Sequence, residues 1–254
     1  MQPPIPTGSF SLFLDVDGTL LDIAARPDGV EVPASLRDAL AMLDEQTGGA
    51  IALVSGRTVA DIDRLFTPLR LRASGVHGAE MRFDPRDPVE VADRNLLPPM
   101  IVGMLRAIAD RYEGTLVEDK RFSVAIHYRA SPTSGTALRA DLDAFVASAE
   151  GQGCRILPGH MVFEVKRAGF DKGVAIAAFH QRAPFAGRQP IFIGDDITDL
   201  PGFEQAMALG GLAYSVTTPR TGVSAHFPDP EAVRDWLTAT ASSTGQTRRG
   251  MTPR

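Results

Sequence analysis

The 254-residue chain has a single cysteine, Cys154. One thiol excludes an internal disulfide and a Cys-rich zinc site, and reads as a small buried filler. Basic residues are outnumbered: 26 Lys and Arg face 31 Asp and Glu, a net charge of -5. With no basic excess to neutralise phosphates, nucleic-acid binding has no electrostatic support. No apolar run approaches the ~20 residues that cross a bilayer. The first ten residues, MQPPIPTGSF, lack the basic start and long apolar centre of a signal peptide. These absences predict a cytoplasmic chain with no membrane partner. Apolar residues are not lacking. At 44% apolar and 22% charged, the composition excludes wholesale disorder. With about 150 residues as the usual domain size, one large domain or two modest ones are both open.

The hydrophobic pattern narrows this. SLFLDV (11–16) and AIALV (50–54) are short apolar runs of the buried parallel-strand type. Between them, Leu36, Leu40 and Leu43 repeat at helical spacing. A helix over 58–66 follows, with Thr58 and Asp61 placed as a capping pair. A weaker strand spans 71–76. Strand–helix alternation predicts an α/β core with a doubly wound parallel sheet. From 96 to 166 the order becomes helix, two strands, helix, two strands, a separate α+β unit. The core rhythm resumes with a helix at 172–180, a strand at 190–193, helices at 200–208 and 231–237, and a strand at 211–215. The predicted organisation is a core of 1–95 with 167–238, a second domain at 96–166, and a structureless Ser/Thr/Gly/Arg-rich tail at 239–254.

Four motifs fall at strand tips or helix starts, where ligands bind in open α/β sheets. Asp15-Val16-Asp17-Gly18-Thr19-Leu20 follows the first strand. Two carboxylates crowded there repel unless a cation offsets them, and oxygen donors suit Mg²⁺. Gly18 lets backbone N–H groups approach an anion. Ser55-Gly56-Arg57 follows the second strand, with a hydroxyl fit to hold a phosphate oxygen. Lys172 opens a helix, where the dipole disfavours a cation unless an anion is near. Gly194-Asp195-Asp196-Ile197-Thr198-Asp199 repeats the acidic tip after a later strand.

Together these motifs resemble the signature of the haloacid dehalogenase (HAD) phosphohydrolase superfamily. The resemblance implies an HAD-like, Rossmann-type core with an inserted C2-type cap. Within the superfamily the chain is similar to the trehalose-6-phosphate phosphatases. DVDGTL (15–20), VSGR (54–57), GVHGAE (75–80), VEDK (117–120), HYR (127–129), GHMVFEVK (159–166), FDKG (170–173) and GDDITD (194–199) carry that likeness.

The resemblance implies that Asp15 is the nucleophile and Asp17 the acid–base. It implies Mg²⁺ held by Asp15, the Asp17 backbone and Asp195, with Asp196 or Asp199 orienting. Ser55 and Lys172 would hold the phosphoryl oxygens. Gly18 would contact substrate, and Arg57 would either do so or brace its loop. Glu118, Lys120, Arg129, His160 and Glu164 would read the sugar by charged hydrogen bonds. The family commonly has Lys at 160 and Glu at 200, where this chain has His160 and Leu200. His77 and Glu80 match a family phrase without an assigned role. The implied activity is Mg²⁺-dependent hydrolysis of trehalose 6-phosphate, a small-molecule reaction by a monomer or weak homo-oligomer. Two alternatives stay open: another sugar phosphate such as sucrose phosphate, or a phosphoacceptor module that does not turn over.

Overall fold

The computed structural model describes residues 3–23, 31–91, 96–159 and 161–249, with side chains to 243 in the last helix. The chain divides into two units, Met1–Glu90 with Asp171–Arg254, and Val91–Phe170.

The first unit begins β1 (Phe10–Leu14), α1 (Ala34–Thr47), β2 (Ile51–Val54), α2 (Val59–Phe66), β3 (Arg72–Gly75), β4 (Glu80–Arg82) and β5 (Glu90–Val91). FSLFL and IALV are apolar at every position or nearly so, and each of their residues is buried. A strand covered on both faces requires that composition. Thr58 caps α2, its hydroxyl accepting from the Asp61 N–H at 3.1 Å. The second unit holds α3 (Pro99–Ala109), β6 (Leu116–Asp119), β7 (Ser123–His127), α4 (Gly135–Ala147), β8 (Cys154–Gly159) and β9 (Val162–Arg167). The chain then returns through α5 (Lys172–His180), β10 (Gln189–Gly194), α6 (Leu200–Ala208), β11 (Leu212–Val216), β12 (Ala225–Phe227) and α7 (Pro230–Arg249).

The core sheet has the order β12-β11-β10-β1-β2-β3-β4-β5. β12 through β3 run parallel, and β4 turns back antiparallel to β3. Leu12 and Leu14 pack with Leu36, Leu40 and Leu43 of α1 on one face. Phe13, pointing the other way, packs with Phe179 of α5. This is the doubly wound α/β class. β1 lies between β10 and β2, so the segments that leave these three strands are neighbours at one sheet edge.

The second unit has a four-stranded antiparallel sheet, order β6-β7-β9-β8. Val124, Ile126, Phe163 and Val165 face α3 and α4 in one apolar cluster. The alternate row pairs Glu118 with Ala125 and Ala125 with Glu164, so both acids lie on the face away from the helices.

The pattern missed β4, β5 and β12, each two or three residues long. It also stopped the last helix too early. Residues from 239 to 249 continue α7, where a structureless tail was expected. Ala241 and Thr240 are buried there, and the Thr240 hydroxyl donates to the Trp236 carbonyl at 2.7 Å. A Ser/Thr-rich composition hid a helix that satisfies its hydroxyls within its own turns. The chain passes from one unit to the other at 90/91 and 170/171, a few residues outside the limits of 96 and 166 read from the sequence.

Candidate active site

Asp15 is the first residue past β1, and its N–H donates to the Ile193 carbonyl of β10 at 3.0 Å. It is 4% exposed. One carboxylate oxygen accepts from the Lys172 ammonium at 2.6 Å, the other from the Thr19 hydroxyl at 3.1 Å. Thr19 also reaches Asp195, at 3.4 Å. Lys172 is itself buried and donates to Asp199 at 2.5 Å. The second oxygen of Asp199 accepts the N–H groups of Asp195 and Asp196, both at 2.9 Å. Asp199 is thereby committed to orienting the loop and the lysine. Asp196 caps the short turn of 197–199.

Three carboxylates, of Asp15, Asp195 and Asp199, offer oxygens within 4.8 Å of one another. Among the described residues, the ammonium that bonds to them is that of Lys172. Burial raises the Asp15 carboxyl well above the usual range, against the pull of Lys172. Burial and the neighbouring Asp199 push Asp195 up to about 6. Burial alone would lower the Lys172 ammonium, but Asp15 and Asp199 raise it. Lys172 is therefore a fixed cation, and negative charge remains in excess. A divalent cation with oxygen ligands fits that donor set, because it offsets what Lys172 leaves over.

Gly18 makes the acidic tip possible. Its φ is +77°, and a Cβ there would lie 2.2 Å from the Asp195 carboxylate. Asp17 is turned outward, 40% exposed, and held by the Arg57 fork through two bonds of 2.6 Å. Ser55 is buried just past β2, where its hydroxyl accepts the Arg57 N–H at 3.1 Å.

In the second unit the Lys120 ammonium lies 3.5 Å from Glu164 and 3.9 Å from Glu118. Arg129 is exposed in the turn after β7. His160 lies outside the described residues. Two groups were missed in the sequence. His127 sits 3.2 Å from Glu118, and the alternation of β7 could have placed it there. Arg220 donates to the Asp195 carbonyl at 2.7 Å, from the loop after the neighbouring β11. Its signal was a lone cation at the next strand tip.

Among the described residues no helix is long and apolar enough to cross a membrane. The model of the family described as trehalose-phosphatase matches residues 13–229. The chain belongs to the trehalose-phosphatase family. The enzyme class of that family is phosphoric monoester hydrolase, as expected from the motifs. The "Probable trehalose-phosphate phosphatase" of Sinorhizobium fredii is 40% identical over 92% of this chain and 88% of its own. The "Trehalose-6-phosphate phosphatase" of Escherichia coli K12 is 36% identical over 97% of this chain and 92% of its own. A crystal structure of a "trehalose-6-phosphate phosphatase related protein" superposes with a TM-score of 0.72 and 25% identity. It covers 93% of this chain and 99% of that one. The C-terminal domain of the C. albicans phosphatase shares the fold, with a TM-score of 0.75 at 20% identity. These trehalose-phosphatase structures span both units of the chain, so the likeness is not confined to the core motifs.

Proposed function

We propose that this trehalose-phosphatase family member hydrolyses trehalose 6-phosphate to trehalose and phosphate through a phosphorylated Asp15. The observation that carries the reading is the buried Asp15 carboxylate, held by Lys172 and Thr19 beside Asp195. A carboxylate fixed in position and short of counter-charge is suited to attack once an electrophilic phosphoryl group is bound.

Asp15 attacks phosphorus and forms the aspartyl–phosphate bond as the bond from phosphorus to the sugar oxygen breaks. Asp17 gives its proton to that departing oxygen. A water then attacks the aspartyl-phosphate, Asp17 takes its proton, and phosphate leaves with Asp15 restored. Arg57, whose fork holds Asp17, braces the acid–base rather than the sugar. Ser55 and Lys172 hold the phosphoryl oxygens. The Asp15 carboxylate, the Asp17 carbonyl and Asp195 would hold Mg²⁺, which when bound neutralises charge between phosphoryl group and nucleophile. Asp199 and Asp196 orient that loop. Gly18 leaves room for the phosphoryl group. Glu118, Lys120, Arg129, His160 and Glu164 recognise sugar hydroxyls, and we add His127 to that set through its contact with Glu118.

Removing the metal is the direct test. Phosphate release from trehalose 6-phosphate should stop on treatment with a chelator and return on adding Mg²⁺. Mg²⁺ should also raise the thermal midpoint of the stripped protein at pH 7.5, since it offsets the excess charge. Release that continues unchanged after chelation, with no midpoint shift on adding Mg²⁺, would remove the metal from the account.

A further inference from the structure

We infer that the turn Gly75–Glu80 is a positioning bracket for the phosphoryl site, with Glu80 acting through the Val59 N–H on the segment that carries Ser55 and Arg57. The inference rests on the function proposed above and assigns the one family phrase of the core that the reaction leaves unused.

Val76 and His77 both have left-handed backbone, with φ of 48° and 54°. Neither is glycine, and Val76 is β-branched, so the conformation is disfavoured. Strain of this kind persists only where surrounding contacts over-determine it. Those contacts run to the loop that carries Ser55 and Arg57. The Val76 N–H donates to the Arg57 carbonyl at 2.8 Å, and the His77 N–H donates to the Ser55 carbonyl at 2.9 Å. Glu80 accepts the Val59 N–H at 2.7 Å, at the start of α2. Three hydrogen bonds thus fasten residues 55–59 to one turn. The packing is close as well, since a Cβ on Gly56 would lie 2.7 Å from the His77 ring.

The other side of the turn rests against the residue before Lys172. Gly78, with φ of +106°, lies so near that a Cβ would be 2.6 Å from the Asp171 carbonyl oxygen. The bracket therefore spans two of the groups assigned to the phosphoryl oxygens, Ser55 and Lys172. It also supports Arg57, whose fork holds Asp17. A displacement of one of these by a fraction of an ångström misaligns the rest. Small errors of placement in such sites lower kcat steeply.

The test uses Glu80→Ala, Glu80→Asp and Glu80→Gln in the full chain with Mg²⁺. Two substrates, trehalose 6-phosphate and p-nitrophenyl phosphate, separate sugar recognition from chemistry. Inorganic phosphate is the binding probe, read as competitive inhibition and as a shift of thermal midpoint. Glu80→Ala and Glu80→Asp should lower kcat by about 10- to 100-fold on both substrates and weaken phosphate binding. Glu80→Gln keeps an oxygen at the same reach and should recover most of both. Should Glu80→Ala not fold, Glu80→Asp against Glu80→Gln decides. Wild-type kcat and phosphate binding in Glu80→Asp would overturn the bracket, and so would a Glu80→Gln loss as deep as that of Glu80→Asp. A wild-type chain inactive on both substrates would instead tell against the proposed function, with the phosphate shift still deciding the bracket.

Discussion

Asp15→Asn is expected to lower kcat for trehalose 6-phosphate by at least about 10⁴-fold while leaving the chain folded. The amide has no carboxylate oxygen to offer phosphorus, so the step that splits the hydrolysis in two is lost. Its effect on stability follows from the charge balance. The folded Asp15 carboxyl is raised well above the ordinary value, chiefly by burial. A carboxyl raised on folding stabilises the fold below its unfolded value, and that contribution is lost as pH rises through the raised one. At pH 7.5 without metal, the raised Asp15 carboxyl therefore weighs against folding. Asparagine removes that titrating group, and Lys172 keeps Asp199 as a partner at 2.5 Å. The thermal midpoint of the metal-free variant should equal or exceed that of the wild type. A clear fall would mean that pairing with Lys172 outweighs the burial of Asp15.

Lys172→Met is expected to fail in the opposite way, losing stability as well as activity. It leaves Asp15 and Asp199 buried without their shared cation, and Asp195 beside them. Removing one partner of a buried ionic set costs about 3–5 kcal/mol. For a chain of this size that corresponds to a midpoint lower by roughly 10 °C. The pH dependence has a definite sign. The Lys172 ammonium is raised on folding by Asp15 and Asp199, so its contribution is present throughout the range below 10.5 and lost only as pH rises through the raised value. The deficit of Lys172→Met should thus persist at neutral pH and narrow in acid, where protonated carboxyls no longer repel. Melting curves from pH 5 to 8 read both effects. A variant as stable as the wild type across that range would show that Lys172 is no structural counter-ion.

The parts of this protein legible in its sequence are the local ones. β1 and β2 announce themselves because a strand buried on both faces must be apolar throughout. The acidic tips are legible because DVDG and GDD crowd charge at the ends of such strands. Thr58 and Asp61 are three residues apart, so their capping bond can be read directly. The parts that were not legible depend on partners far along the chain. Arg57 meets Asp17 across 40 positions, and nothing in SGR alone chooses between a sugar and an aspartate. Glu80 reaches back 21 residues to the Val59 N–H, a main-chain atom with no side-chain signature. Arg220 likewise bonds a carbonyl, 25 residues away. α7 was cut short because hydroxyl-rich sequence resembles a loop unless one knows that Trp236 and Ala241 are buried against the core.

The resemblance carried further than composition or spacing could. Acidic tips alone suit any metal-dependent α/β protein, including a phosphoacceptor that does not turn over. The match of the family over residues 13–229 places both the core and the α+β unit within one lineage. Substrate choice falls to the second unit, where Glu118, Lys120, His127 and Glu164 form a polar cluster that suits hydroxyl-rich ligands.

The decisive measurement is kcat/KM for trehalose 6-phosphate against sucrose 6-phosphate and glucose 6-phosphate, with the same Mg²⁺-loaded preparation. The account predicts that trehalose 6-phosphate is preferred by at least about 100-fold, the discrimination that a few hydroxyl hydrogen bonds supply. Equal turnover of the three, or a preference for either of the others, would contradict it.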